Sequence, residues 1–209
     1  MGSNGRRMTT TRWLIRAALL CTLLFGAQAR FLNHVPGDVP VARAVQAASP
    51  GTAWVAPMVE TASAPWKYGL MAIALLGAWR LAGTRAVLVV AAAIAIEQTF
   101  GESSKLLFHR PRPSRDLVAV MGTPSGFSFP STFMTIYAVT IGALVVLAWR
   151  ARAGALRTGV LAAGTLVLLV AMAARVVPGA HWPSDVIGTT FICLSWLAVA
   201  FEAAGVGSK

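Results

Sequence analysis

Six long apolar runs set the limits on what this chain can fold into: residues 13–29, 65–81, 85–104, 130–149, 158–174 and 183–204. Several of them reach the ~20 residues that a membrane-spanning helix needs. A backbone crossing lipid must satisfy its own N–H and C=O groups, so runs of this kind are read as helices. Composition points the same way, with 56% hydrophobic and only 12% charged residues, far from an average soluble domain. The expected fold is all-α: a polytopic membrane protein with about six transmembrane helices in one bundle, residues 13–209. Residues 1–12, with Arg6, Arg7 and Arg12, are expected to form a disordered cytoplasmic tail. The first run admits two readings. Its basic start, Leu-rich middle and Ala27-Gln28-Ala29 fit a signal peptide with its cleavage site, and they also fit an uncleaved first helix. No internal repeat is visible, so an inverted-repeat transporter has no support.

The formal charge of +11 does not indicate nucleic acid. The arginines sit at the ends of apolar runs and in one loop, without a basic stripe, which fits positive-inside placement. If six helices alternate, the N-terminal tail, the turn between Arg80 and Arg85 and the loop with Arg150, Arg152 and Arg157 share one side, the cytoplasm. The loops holding Lys105, Ser131 and His181 then share the other side. Residues 30–64 form a long loop with a short surface helix expected over residues 39–48, read equally well as a plain loop or as a substrate gate. Cys21 and Cys193 lie inside apolar runs and are read as buried, inert thiols. Glu97 lies inside a span, where a carboxylate is expensive and tends to face the bundle interior. A structural role is favoured for it.

Three polar stretches carry the chemistry. The first, at the end of the third run, is Lys105-Leu-Leu-Phe-His109-Arg110-Pro-Arg112-Pro113, with Lys105 expected at the helix end, where a cation suits the dipole. Arg110, Arg112 and Arg115 crowd into the following loop, which a bound anion explains. The second is Ser128-Phe-Pro130-Ser131-Thr-Phe133, with Ser128 as the candidate N-cap of the fourth helix. The third runs from Arg175 to Asp185, with Pro183 placed to be a first helical residue. His181 and Asp185 are one helical turn apart, so the carboxylate is placed to accept one imidazole N–H and leave the other nitrogen free to attack. Taken alone, this stretch is equally a polar turn with an interfacial histidine.

Together the three stretches resemble the signature of the type 2 phosphatidic acid phosphatase superfamily. Its first motif, Lys, six residues, Arg-Pro, is matched by Lys105, Arg112 and Pro113. Its second, Pro-Ser-Gly-His, is matched in part by Pro130 and Ser131. Its third, Ser-Arg, five residues, His, three residues, Asp, is matched by Arg175, His181 and Asp185. Ala174 replaces the serine and Phe133 replaces the histidine of the second motif. The resemblance implies that Lys105, Arg112, Ser131 and Arg175 bind phosphate, that His181 attacks phosphorus and that Asp185 orients it. The resemblance implies a membrane lipid phosphatase or phosphotransferase that acts on a lipid phosphate or diphosphate through a phosphohistidine, and the expected location is a bacterial-type inner membrane with the site on the outer face. No carboxylate cluster or His/Cys spacing suggests a metal, so metal-independent catalysis without a cofactor is expected. The missing second-motif histidine implies a missing general acid. His109 is the possible substitute; an isoprenoid diphosphate is the substrate that needs no acid; and a non-catalytic lipid-phosphate binder is the alternative.

Overall fold

A computed structural model describes the backbone of residues 3–151 and 153–206, with side chains from Thr9 onward. Arg152, counted above among the flanking cations, lies outside the described residues, as do Met1, Gly2 and residues 207–209. The described residues are helices and connecting loops, without a strand. Helix α1 spans Ser3–Phe31, so the tail expected to be disordered up to Arg12 is instead continuous with the first helix from Ser3. Its sequence has no glycine or proline between Arg6 and Phe25 to stop the helix propagating. Two short helices follow, α2 (Asp38–Ala48) and α3 (Val55–Glu60). A tight pair comes next, α4 (Trp66–Ala82) and α5 (Thr84–Phe100), turning at Gly83 with φ +78°. Glycine takes that left-handed value without the Cβ penalty of other residues.

A rod from Thr132 to Arg150 consists of α6 (Thr132–Tyr137), a π-helical stretch (Ala138–Gly142) and α7 (Ala143–Arg150). Helices α8 (Ala155–Val176) and α9 (Pro183–Ala203) complete the bundle. Among the described residues, four segments are long and apolar enough to cross a membrane: Thr9–Phe31, Thr132–Arg150, Ala155–Val176 and Pro183–Ala203. Helices α4 and α5 have 17 residues each, about 26 Å of helix, at the short end of what spans a bilayer. Leu20, Leu24, Leu88, Ile96, Leu166 and Leu169 all point outward and are exposed, a surface that suits lipid rather than water.

The interior is packed from small and apolar side chains. Ala74 and Ala78 of α4, Val90 of α5, Ala143 and Leu147 of α7 and Phe201 of α9 share one buried cluster. Close approach is set by glycine: a Cβ on Gly188 would lie 2.7 Å from the Phe25 ring, so α1 seats on α9 at that point. The Phe25 and Phe191 rings stack 6.3 Å apart, and Trp196 Nε1 donates to Thr22 Oγ1 at 3.0 Å. A second cluster, with Phe133, Met134, Tyr137, Leu168, Trp182 and Val186, lies beneath the end of the bundle where the three polar stretches meet. At the opposite end Arg150 binds Glu202 and the carbonyl of Val206. Cys21 and Cys193 are free thiols, and both are partly rather than fully buried; Cys193 lines a groove between α5 and α9.

Candidate active site

The turn between α8 and α9 delivers the histidine. His181 N donates to the carbonyl of Arg175 at 3.1 Å, folding residues 176–180 into a compact loop. Gly179 has φ +65°, and a Cβ there would come within 2.2 Å of the carbonyl of Ala119. Glycine is therefore required both by the backbone and by the neighbouring loop. Pro183 opens α9 as its first residue, as its sequence position predicts.

His181 is 2% exposed. Its Nδ1 lies 2.7 Å from the carbonyl oxygen of Ser128, which has no proton to give, so Nδ1 is the donor. That leaves Nε2 with its lone pair, facing Arg112 Nη1 at 3.4 Å and Ser131 Oγ at 3.5 Å. Burial comes first, then the charges of Arg175, Arg112 and Lys105, in holding the imidazole well below its ordinary pKa of 6.5; the Ser128 carbonyl opposes them. Burial and the neighbouring cations thus favour the neutral ring, whose Nε2 carries no proton.

Asp185 does not take the imidazole N–H that the one-turn spacing suggests. Its Oδ2 is 3.8 Å from Nδ1, too far for a hydrogen bond. The reason is competition: Oδ2 accepts from the backbone N–H of Trp182 at 2.9 Å, and Oδ1 accepts from Arg110 Nη1 at 2.5 Å. Asp185 therefore closes the first turn of α9 and meets the histidine through charge alone. Ser128 differs from expectation as well. Helix α6 begins at Thr132 with Ser131 as its N-cap, whose Oγ accepts from Met134 N at 3.4 Å. Phe129 precedes a proline and is kept out of helical geometry, so Ser128 cannot cap; its carbonyl holds His181 instead.

The cations converge from three elements. Helix α5 ends at Phe100, and Lys105 lies beyond it in a 3-10 turn (Ser103–Leu107), buried and paired with Glu102 at 2.9 Å. The intervening Gly101 lets the helix stop before the motif begins. Arg112 is anchored by the carbonyls of Ser125 (2.9 Å), Gly126 (3.1 Å) and Ala180 (2.6 Å). Arg175 differs from both: among the described residues its guanidinium makes no hydrogen bond, and its Nε is buried without a partner. It lies over the Phe133 ring, 5.4 Å from the centroid, a cation–π arrangement. Phe133 itself is 7% exposed and packs against Tyr137. His109 sits apart from this group, exposed, with φ +53° and its ring edge-on to Phe127 at 4.6 Å.

Sequence reasoning missed the contribution of α2. Gln46 donates to the carbonyls of Ala119 (2.7 Å) and Val177 (3.1 Å) and accepts from Ala119 N, joining the two loops that carry the site. Asp38, at the first turn of α2, is 2% exposed and binds Arg110 and Ser184. A lone aspartate after Pro36-Gly37 gives little sign of this; the proline-glycine turn marks only where a helix can start.

Two openings adjoin the site. A groove of about 600 Å³ runs between α5, α6 and α9, lined by Ile96, Phe100, Val139, Ile192, Trp196 and Leu197 and closed at one end by Ser104, Pro130 and Thr189. A cavity of about 400 Å³ contains Lys67, Gln98, Glu102, Thr132, Phe133 and Arg175. Glu97 lines both.

Residues 82–205 match the profile of the PAP2 superfamily. The chain belongs to that superfamily. It is 39% identical over 110 residues to a decaprenylphosphoryl-5-phosphoribose phosphatase of Mycolicibacterium smegmatis, a match covering 52% of this chain and 51% of the relative. The chain thus spans about half the length of that curated relative. Its fold resembles the crystal structure of a transmembrane PAP2 type phosphatidylglycerolphosphate phosphatase from Bacillus subtilis. The TM-score is 0.59 at 18% identity, over 90% of this chain and 94% of the other.

Proposed function

We propose that this PAP2 protein is a membrane phosphatase that removes phosphate from a prenyl-type lipid phosphate through a phosphohistidine on His181. One observation carries the reading: a buried neutral imidazole presents a bare Nε2 among three cations, and among the described residues the guanidinium of one of them, Arg175, has no hydrogen-bond partner. Phosphoryl transfer is mostly positioning and electrostatics. Lys105, Arg112 and Arg175 bind the non-bridging oxygens, arginine gripping two at once. Ser131 Oγ, 3.5 Å from Nε2, adds a donor beside the transferred group.

The attack forms a bond from Nε2 to phosphorus while the bond to the leaving oxygen breaks, and that oxygen departs with the electron pair. Water then forms a P–O bond, the N–P pair returns to Nε2, and the water proton goes to the released phosphate or solvent. Phe133 offers no proton to the leaving oxygen. An alkoxide leaving group resembles hydroxide, whose conjugate acid has a pKa of roughly 15.7. A phosphate monoester leaving group has a comparable pKa of only about 6. The favoured substrate is therefore an isoprenoid diphosphate, with its chain in the apolar groove.

A second reading has its own support. The polar cavity beside Arg175 carries Gln98, Glu102 and Lys67, groups that suit a hydroxyl-bearing headgroup, and the mycobacterial relative is named for a prenyl lipid bearing a phosphorylated ribose. On this reading the phosphate leaves from a sugar. Rates on farnesyl diphosphate and on a prenylphosphoryl sugar phosphate decide between the two.

The test of the chemistry is phosphoenzyme trapping. Wild-type protein should give an acid-labile, base-stable phosphoenzyme and release inorganic phosphate, and His181→Ala should do neither while keeping its fold. Full turnover by His181→Ala would sink the mechanism. Binding of lipid phosphate by wild type without any release would make the protein a binder. The proposed outer-face location follows from the arginine distribution. A cysteine at position 114 should label from outside intact cells and one at position 80 should not; the reverse pattern inverts the topology.

A further inference from the structure

Arg110 lies beside the phosphate-binding cations but does not join them. It is 1% exposed and clamped between two carboxylates. Nη2 donates to Asp38 Oδ2 at 3.0 Å; Nη1 donates to Asp185 Oδ1 at 2.5 Å and to Ser184 Oγ at 3.0 Å. Asp38 accepts in addition from Ser184 N at 2.8 Å, Ser184 Oγ at 2.7 Å and Val35 N at 2.8 Å. The trio is a buried unit of two carboxylates and one guanidinium, so its formal charge is −1.

That charge faces His181 across the 3.8 Å gap from Asp185 to Nδ1. When Nε2 bonds to phosphorus, Nδ1 keeps its proton, the ring loses its free lone pair, and positive charge develops on the imidazole. Lys105, Arg112 and Arg175 all oppose that charge. In a water-poor site such terms are large. If Arg110 were paired with Asp185 alone, their charges would cancel and the Nδ1 side of the ring would face no net negative charge. Asp38 draws on the same guanidinium and leaves the unit negative.

We propose that Asp38 is a positioning residue of the active site: by sharing Arg110 with Asp185 from the first turn of α2, it keeps a net negative charge opposite His181 and fixes the Asp185 carboxylate at the start of α9. This rests on the reading of His181 as the nucleophile. Sharing makes a prediction that a purely structural role does not. Asp38→Asn is close in shape but neutralises the unit, so kcat falls on the order of tenfold or more with KM little changed. Asp38→Asn combined with Arg110→Gln restores a charge of −1 on Asp185, so kcat rises again above that of the single variant.

The experiment measures kcat, KM and melting temperature of full-length protein in detergent with farnesyl diphosphate, for wild type, Asp38→Asn, Asp38→Glu and the double variant. Recovery in the double variant supports charge sharing. A double variant at or below Asp38→Asn in kcat, or Asp38→Asn with unchanged kcat, overturns it. Should Asp38→Asn fail to fold, Asp38→Glu decides: kcat within about threefold of wild type supports the proposal, and a loss on the order of tenfold in a folded protein overturns it. Failure of the underlying reading is separable, because wild type would then form no phosphohistidine.

Discussion

The two openings beside the cluster of Lys105, Arg112 and Arg175 have opposite linings. The larger is a groove of apolar side chains between α5 and α9, open to the surface that faces lipid. The smaller holds Lys67, Gln98, Glu102 and Arg175. Gln98 Oε1 accepts from Lys67 at 2.7 Å, and Glu102 accepts from Thr132 Oγ1 at 2.7 Å, so its polar groups are already organised. The difference shows how a membrane site can sort one amphiphile without gripping all of it. Burial of an apolar chain is worth ~0.8 kcal/mol per CH₂ whatever the chain's identity. Polar groups discriminate by leaving wrong partners unsatisfied. On the proposed reading the groove supplies affinity for the chain and the cavity supplies selection of what carries the phosphate.

The largest effect expected from breaking this arrangement is at Arg175, which lines the cavity and, on the proposed reading, also grips the phosphate. Arg175→Ala should lower kcat by roughly 10²–10³ for every substrate, the cost of removing one donor to developing charge. A loss confined to KM would place Arg175 in binding alone. Next comes Phe133→His. Supplying an acid should favour a phosphate monoester over a diphosphate by on the order of tenfold or more in relative rate, provided the ring fits beside Arg175 and Tyr137. If wild type already hydrolyses both equally and His109→Ala removes only the monoester activity, the exposed His109 is the acid after all. The groove is tested by crowding it. Ala93→Phe should cut kcat/KM for a long-chain prenyl substrate by about tenfold, from a chain displaced from apolar contact, and should spare a short-chain one. Equal loss on both would separate the groove from substrate binding.

A smaller effect concerns acid. His181 has its pKa held well below 6.5 in the folded protein, so the unfolded chain binds the proton more tightly. The stability this neutral ring contributes is fully present above about pH 6.5 and is lost as pH falls toward the folded value. The acid limb of kcat/KM attributable to His181 should lie well below 6.5, and a limb at 6.5 or above would contradict the burial. The smallest effect on turnover is expected at the far end of the bundle. Glu202→Gln leaves Arg150 half-paired and should lower the melting temperature while kcat stays near wild type.

How far the site was legible follows from what kind of group does each job. Lys105, Arg112, Ser131, Arg175 and His181 were readable as one group because side-chain identity and spacing mark them, and the folded chain brings them to one end of the bundle. The helices were readable because long apolar runs have few other fates in lipid. The partner of His181 was not readable, since a backbone carbonyl, that of Ser128, has no letter in the sequence. Nor was Asp38, whose partner Arg110 is 72 positions away; a lone carboxylate in a loop gives no periodic signal. The one-turn spacing of His181 and Asp185 was real, but Arg110 and the Trp182 N–H claimed the carboxylate first.

The π-helical stretch from Ala138 to Gly142 has a consequence for tolerance to length change. Such a turn accommodates one residue more than an α-helical one. Above it, Phe133 lines the cavity beside Arg175 and Tyr137 packs on Phe133; below it, Val146 and Leu147 face the core. Removing a residue from an ordinary helix swings everything beyond it by about a quarter turn or more. Here a single deletion between Ala138 and Gly142 can instead relax the coil to regular winding, with the half beside the candidate site and the packing half each keeping its own bearing.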